Sequence, residues 1–132
     1  MLEELTVRTA RREEMIDITS LVRAAVRRSG IEQGMVHVYC PHTTAGITIQ
    51  ENADPDVRTD LLTHLARLMP QDAGFRHSEG NADAHIKSSL VGVSQAVPLD
   101  RGNLVLGTWQ AVFFCEFDGP RSRRVLVKVV AG

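Results

Sequence analysis

The sequence predicts an α+β fold. Two amphipathic helical segments lie in its first half, strand-forming runs crowd the second, and 132 residues suit a single domain, 1–132, around one core.

Leu5-Thr6-Val7-Arg8-Thr9-Ala10-Arg11 partly alternates apolar and polar residues and reads as an N-terminal strand. Ile18, Leu21, Val22, Ala25 and Val26 then share one helical face, with Asp17 or Thr19 as the cap and Gly30 as the stop. Met35 to Cys40 and Gly46 to Gln50 are rich in β-branched and apolar residues; the polar segment at His42 makes them two strands, or one bent strand.

Asp54-Pro55-Asp56 is a helix start, a capping carboxylate before a proline whose missing N–H costs nothing there. The helix runs to about Leu68 with Val57, Leu61, Leu62, Leu65 and Leu68 on one side, and Pro70 lies just past its end. A loop through Gly74 to Gly80 precedes a short helix near Ala82 to Leu90. Strands are expected at Val93 to Leu99, Leu104 to Gly107, Trp109 to Phe117 and Arg124 to Val130, with turns at 100–103 and 118–121.

Composition excludes several classes of function. A formal net charge of -1 gives no whole-chain attraction to nucleic acid or to an acidic membrane. No apolar run approaches the ~20 residues of a spanning helix. Met1-Leu2-Glu3-Glu4 is too acidic for a signal peptide, so the default location is cytoplasmic. Cys40 and Cys115, far apart in apolar segments, read as buried reduced thiols.

Three histidines stand in compact polar segments. His42 lies in Pro41-His42-Thr43-Thr44-Ala45-Gly46, while His77 and His85 bracket Ser78-Glu79-Gly80-Asn81-Ala82-Asp83-Ala84. Imidazole serves near neutral pH as a ligand or a proton carrier. Together the three could hold a zinc ion with one open position, Glu79 and Asp83 orienting the rings. The alternative is that each histidine only hydrogen-bonds in its own turn. His64, bordering the apolar helix face, reads as packed or interfacial, and His37 as a solvent-side or cross-strand residue.

Other polar residues interrupt the pattern. Asn52, at a strand-to-helix junction, suits ligand contact, and Gln110 sits beside the only tryptophan in Gly107-Thr108-Trp109-Gln110. Arg121, Arg123 and Arg124 could clamp a phosphate or form a charged hairpin rim. Glu116 breaks the run Ala111-Val112-Phe113-Phe114-Cys115. By alternation it faces the side of Val112 and Phe114, where it either lines a site or pairs with an arginine.

In order, His42-Thr43-Thr44-Ala45, Glu51-Asn52-Ala53-Asp54-Pro55-Asp56-Val57, Arg76-His77, Asp83-Ala84-His85-Ile86-Lys87, Gly107-Thr108-Trp109-Gln110 and Cys115-Glu116-Phe117-Asp118-Gly119-Pro120-Arg121 resemble the YjbQ-like family. The resemblance covers nearly the whole chain after the first helix. It implies a β-sandwich with flanking helices, a homotrimer with polar clefts near subunit boundaries, and a divalent metal, zinc first, at His42, His77 and His85.

It also implies a secondary thiamine-phosphate synthase activity, a transferase reaction that joins a pyrimidine pyrophosphate to a thiazole phosphate and releases pyrophosphate. For that reaction Arg121 and Arg123 would neutralise the leaving group, while Asn52 and Gln110 orient substrate heteroatoms. The alternative enzyme is a zinc hydrolase of a small phosphorylated or heterocyclic substrate, with Glu116 as general base. A third reading is a non-catalytic trimer that binds a small molecule or metal.

Overall fold

The computed structural model describes residues 2–132, which leaves Met1 of the N-terminal acidic segment outside the described residues. Strands β1 (Leu2–Arg8) and β2 (Glu14–Asp17) precede helix α1 (Thr19–Ser29). Strands β3 (Gly34–Tyr39) and β4 (Ala45–Glu51) lead to helices α2 (Pro55–Leu68) and α3 (Ala82–Val91). The chain closes with β5 (Ser94–Asp100), β6 (Asn103–Leu104), β7 (Gln110–Glu116) and β8 (Ser122–Ala131).

The strands form two sheets, ordered β1-β8-β3-β5-β6 and β2-β7-β4, with every pairing antiparallel. Alternation decides what each face does. Leu5, Val7, Val36, Val38, Val97, Leu99, Val125, Val127 and Val129 turn inward from the larger sheet to meet Ala45, Ile47, Val112 and Phe114 of the smaller one. Helix α1 closes this core with Val22, Ala25 and Val26. The opposite face of the smaller sheet carries Met15, Phe113 and Cys115, which with Ala84 and Phe117 form a second core under Leu61, Leu62 and Leu65 of α2. The mixed α+β class and the two-layer arrangement with flanking helices are therefore as expected.

Boundaries shift where tertiary pairing outweighs local signal. The first strand runs over Leu2–Arg8 because its residues pair with Ser122–Lys128 of β8. β2 carries only four residues and no clear alternation, and the sequence reading missed it. The expected strand Leu104–Gly107 shrinks to Asn103–Leu104. The stretches on either side of His42 are separate strands in different sheets, so the His42 segment is the crossing between layers.

Helix ends follow the expected chemistry in part. Asp54 Oδ1 accepts from the Asp56 N–H at 2.9 Å, and Gly30 ends α1 in the left-handed region at φ 70°. Helix α1 begins one residue after Ile18, with Asp17 Oδ1 accepting from the Thr19 N–H at 2.9 Å. Helix α2 lies on the surface with no fully buried residue, and Leu68 is 72% exposed. At Gly46 a Cβ would stand 2.5 Å from the Gly92 carbonyl oxygen, so only glycine lets β4 approach the end of α3. No helix among the described residues is long and apolar enough to cross a membrane.

Candidate functional site

Glu116 ends β7 on the side of Val112 and Phe114, as alternation requires, and that side is the core between the sheets. The carboxylate is fully buried. Its Oε1 accepts from Arg123 Nε and Thr9 Oγ1, each at 2.8 Å, and its Oε2 accepts from Arg123 Nη2 and, at 3.0 Å, from the Asp118 N–H. Burial opposes ionisation, but these donors, Arg123 first, outweigh it and hold the carboxyl below the usual carboxylate range. A carboxylate so saturated is a poor proton acceptor. Glu116 is thus the partner of an arginine, which corrects its reading as a general base.

Arg123 is likewise only 4% exposed. Its Nη2 donates to Thr44 Oγ1 at 2.9 Å, so its fork ties β8 of the larger sheet to β7 and to the residue just before β4 of the smaller one. A guanidinium committed to the core cannot clamp a phosphate from solvent, and that expectation is corrected too. Gly119 makes the packing feasible: a Cβ there would lie 2.2 Å from the Arg11 carbonyl oxygen and 2.8 Å from Glu116 Cγ. Arg121 and Arg124 stay exposed, bonded respectively to Asp118 Oδ2 at 2.8 Å and Glu4 Oε1 at 2.9 Å.

His42 lines a pocket of 460 Å³ with Tyr39, Cys40, Pro41, Thr43, Ser88, Ser89, Gly92 and Val93. The wall offers hydroxyl groups and an imidazole, with no carboxylate. His42 Nε2 accepts the Arg124 N–H at 2.9 Å. Burial, then the positive charges of Arg123 and Arg124, push its pKa below the ordinary imidazole value. Cys40, in the same wall, has its thiol pushed up chiefly by burial, and both cysteines are free as expected.

His77 and His85 do meet, their ring centroids 5.1 Å apart and their planes at 70°. Glu79 Oε2 stands 4.0 Å from His77 Nε2. Asp83 is engaged elsewhere: it is buried and receives Arg12 Nη2 at 3.0 Å and Lys87 Nζ at 2.8 Å. It therefore fastens α3 to the loop before β2 and does not orient a histidine. Among the described residues no group of three or more His, Cys, Asp or Glu side chains could hold a metal ion. His42 also lacks a free ligand electron pair in this geometry, since the pair on Nε2 is already directed at the Arg124 N–H. The three-histidine set thus does not fit a metal within one chain; what remains is the His77–His85 pair.

Asn52 and Gln110 lie elsewhere. Asn52 Nδ2 donates to Asp17 Oδ2 at 2.7 Å and its Oδ1 accepts from Arg58 at 3.0 Å, while Gln110 Oε1 accepts from the Gly107 N–H at 2.8 Å. Glu51 pairs with Gln110 at one end of the β4–β7 ladder and Ala45 with Glu116 at the other. At ~3.3 Å per residue, the amide pair is roughly 20 Å from the His42 end. Within one chain Asn52 and Gln110 therefore lie at the opposite end of the smaller sheet from His42, Glu116 and Arg123, and His77 and His85 make a separate pair. His64 and His37 are both exposed.

Sequence reasoning missed Thr9, Arg12, Thr44 and Lys87. Thr9 and Arg12 gave no signal, because their partners are 107 and 71 residues away. Lys87 could have been found from its i,i+4 spacing to Asp83.

Residues 3–132 match the family model described as UPF0047 protein YjbQ-like. The chain is 53% identical over 131 residues to UPF0047 protein YugU of Bacillus subtilis, covering 98% of this chain and 99% of that protein. It is 51% identical to UPF0047 protein MJ1081 of Methanocaldococcus jannaschii over 98% of this chain and 94% of that one. A crystal structure of an uncharacterized YjbQ/UPF0047 protein from Clostridium acetobutylicum superposes with a TM-score of 0.95 at 52% identity, covering 97% and 99% of the two chains. A YbjQ-like protein of unknown function from Sulfolobus solfataricus also gives 0.95, at 32% identity, covering 100% and 97%.

Proposed function

As the chain belongs to the YjbQ-like UPF0047 family, we propose that it is an enzyme acting on a phosphorylated small molecule seated over His42, with thiamine-phosphate synthesis as its candidate reaction. The observation that carries this reading is the 460 Å³ pocket whose wall combines an imidazole with the hydroxyl groups of Tyr39 and Thr43 and contains no carboxylate. The Ser88 and Ser89 hydroxyls in the same wall already donate to the Ala45 and His85 carbonyl oxygens. Donors without competing negative charge suit phosphate oxygens.

In that reaction a C–N bond forms to the thiazole nitrogen while the C–O bond to pyrophosphate breaks. The leaving group takes the bonding electron pair, so the enzyme's task is to stabilise developing negative charge. His42 would donate a hydrogen bond from its remaining ring nitrogen, and the adjacent exposed Arg124 would supply positive charge by exchanging Glu4 for the leaving group. Arg121, paired with Asp118, is a further exposed guanidinium. Asn52 and Gln110 join such a site only if a neighbouring copy supplies them. That separation is the reason a homotrimer belongs to this proposal, together with a cytoplasmic location for a chain that acts on a soluble substrate.

The test is incubation of the protein with the pyrimidine pyrophosphate and the thiazole phosphate, following thiamine phosphate and pyrophosphate together. Equimolar formation of both, reduced at least tenfold in His42→Gln, supports the synthase. Phosphate release from other monoesters, lost in His77→Ala, would instead favour a zinc hydrolase, for which the 5.1 Å approach of His77 and His85 is the specific support. Saturable phosphate-ligand binding without turnover would leave the non-catalytic trimer.

A further inference from the structure

We propose that the buried Glu116–Arg123 pair is a positioning device that holds His42 as an Nδ1–H donor, and that His42 therefore stands outside any metal site. This inference rests, for its functional meaning, on the reading of the His42 pocket as the substrate site.

The geometry begins with strand register. β3 pairs with β8 through Tyr39 opposite Leu126. Two residues further on, the same ladder would set residue 41 opposite Arg124, but Pro41 diverts the chain toward the other sheet. The Arg124 N–H donates instead to His42 Nε2, at 2.9 Å. An amide N–H can only donate, so Nε2 must keep its electron pair. A neutral imidazole has one proton, and here it sits on Nδ1.

Two neighbouring links fix this meeting. Arg123, the residue before the donating amide, is locked by both oxygens of Glu116. Its Nη2 also holds Thr44 Oγ1 at 2.9 Å, two residues after His42. Thr9 and the Asp118 N–H take up the remaining capacity of Glu116, so the carboxylate has no freedom to release the fork. Donor strand and acceptor loop are thereby clamped by the same guanidinium. Lysine would keep the charge but lack the fork needed to reach both partners.

The decisive measurement is the tautomer of His42 by long-range ¹H–¹⁵N correlation spectroscopy of the unliganded protein above neutral pH, with the signal assigned through His42→Gln. Wild type is expected in the Nδ1–H form, against the ordinary Nε2–H-dominated mixture for exposed His37 and His64. Arg123→Lys and Thr44→Val should both move His42 toward that mixture, while the amide spectrum reports that the fold persists. Thr44→Val removes the 2.9 Å hydroxyl tether, leaves Nη2 only its long 3.4 Å contact with the Thr44 carbonyl oxygen, and keeps the buried ion pair whole, so it decides the matter if Arg123→Lys does not fold. An Nε2–H tautomer in wild type, or an unchanged signal in folded Thr44→Val, overturns the positioning role. Added zinc should shift His77 and His85 and leave His42 in place; coordination by His42 overturns the second half. Inorganic phosphate, titrated separately, tests the substrate reading: an Nδ1–H signal that ignores phosphate refutes that reading alone.

Discussion

His42 and Arg124 meet through the Arg124 backbone N–H and the His42 Nε2, 2.9 Å apart, across a point where one strand has left the ladder. A side chain has taken the place of a missing carbonyl. The imidazole consequently has one nitrogen committed to the scaffold and one left for the 460 Å³ pocket that it lines.

Arg123→Met should destabilise the protein by ~3–5 kcal/mol, because it strands the fully buried Glu116 carboxylate without its partner. Equilibrium urea unfolding measures this. The double variant Glu116→Gln/Arg123→Met should recover more than half of the loss. A single variant within about 1 kcal/mol of wild type would show that the pair contributes no more than an exposed one.

Acid should unfold the chain through its buried carboxylates. Burial disfavours ionised Asp83, but hydrogen bonds from Arg12 and Lys87 outweigh it and hold its carboxyl below the ordinary value, as Arg123 does for Glu116. For a depressed pKa the stabilisation is full above the unfolded-state value near ~4 and disappears as pH falls through the folded-state value. Each such group adds at most ~1.4 kcal/mol per pH unit to the slope in that window. If Asp83→Asn folds, its stability curve between pH 5 and pH 2, measured in urea at each pH, should be shallower than wild type. An equal slope contradicts the assignment.

Cys115 should resist thiol reagents. Burial, with a smaller contribution from Cys40, pushes its thiol up to about 12, so almost no thiolate exists at neutral pH. With native protein at pH 8, a chromogenic disulfide should label Cys115 at least a hundredfold more slowly than it does in urea. Rapid labelling in the folded state would mean the second core opens readily.

Zinc, if bound, should follow the histidine pair. After zinc incubation and desalting, elemental analysis of His77→Ala and His85→Ala should show at least a tenfold loss of metal, while His42→Ala retains it. Equal loss in all three variants would mean that the site is assembled between copies with His42 included.

Assembly is open to direct test. Light scattering should return three times the 14.5 kDa chain mass. A monomeric mass at micromolar concentration would remove Asn52 and Gln110 from the His42 site, since within one chain they lie at the far end of the smaller sheet.

Much of the fold was legible because period and punctuation are local. Alternation placed Glu116 on the side of Val112 and Phe114, Asp54-Pro55 opened α2, and Gly30 closed α1. The missed strand β2 shows the limit: Met15 and Ile16 become strand residues by pairing with Cys115 and Phe114, a hundred residues away in sequence. Of the candidate site, the histidine segments were visible, but their grouping was not.

By itself the sequence determined the α+β class, the order of the principal elements and the family, because hydrophobic period, caps and motif order are written along the chain. Only the tertiary structure decided what the polar residues do. Glu116 and Arg123 neutralise each other inside the core, Asp83 is claimed by Arg12 and Lys87, and His42 is turned by the amide of Arg124. A buried charge takes its role from whichever partner packing delivers. Arg12 and Arg124 lie 71 and 82 residues from Asp83 and His42, where no spacing rule reaches, and Arg123, though only seven residues from Glu116, is set against it by the packing of β8 on β7.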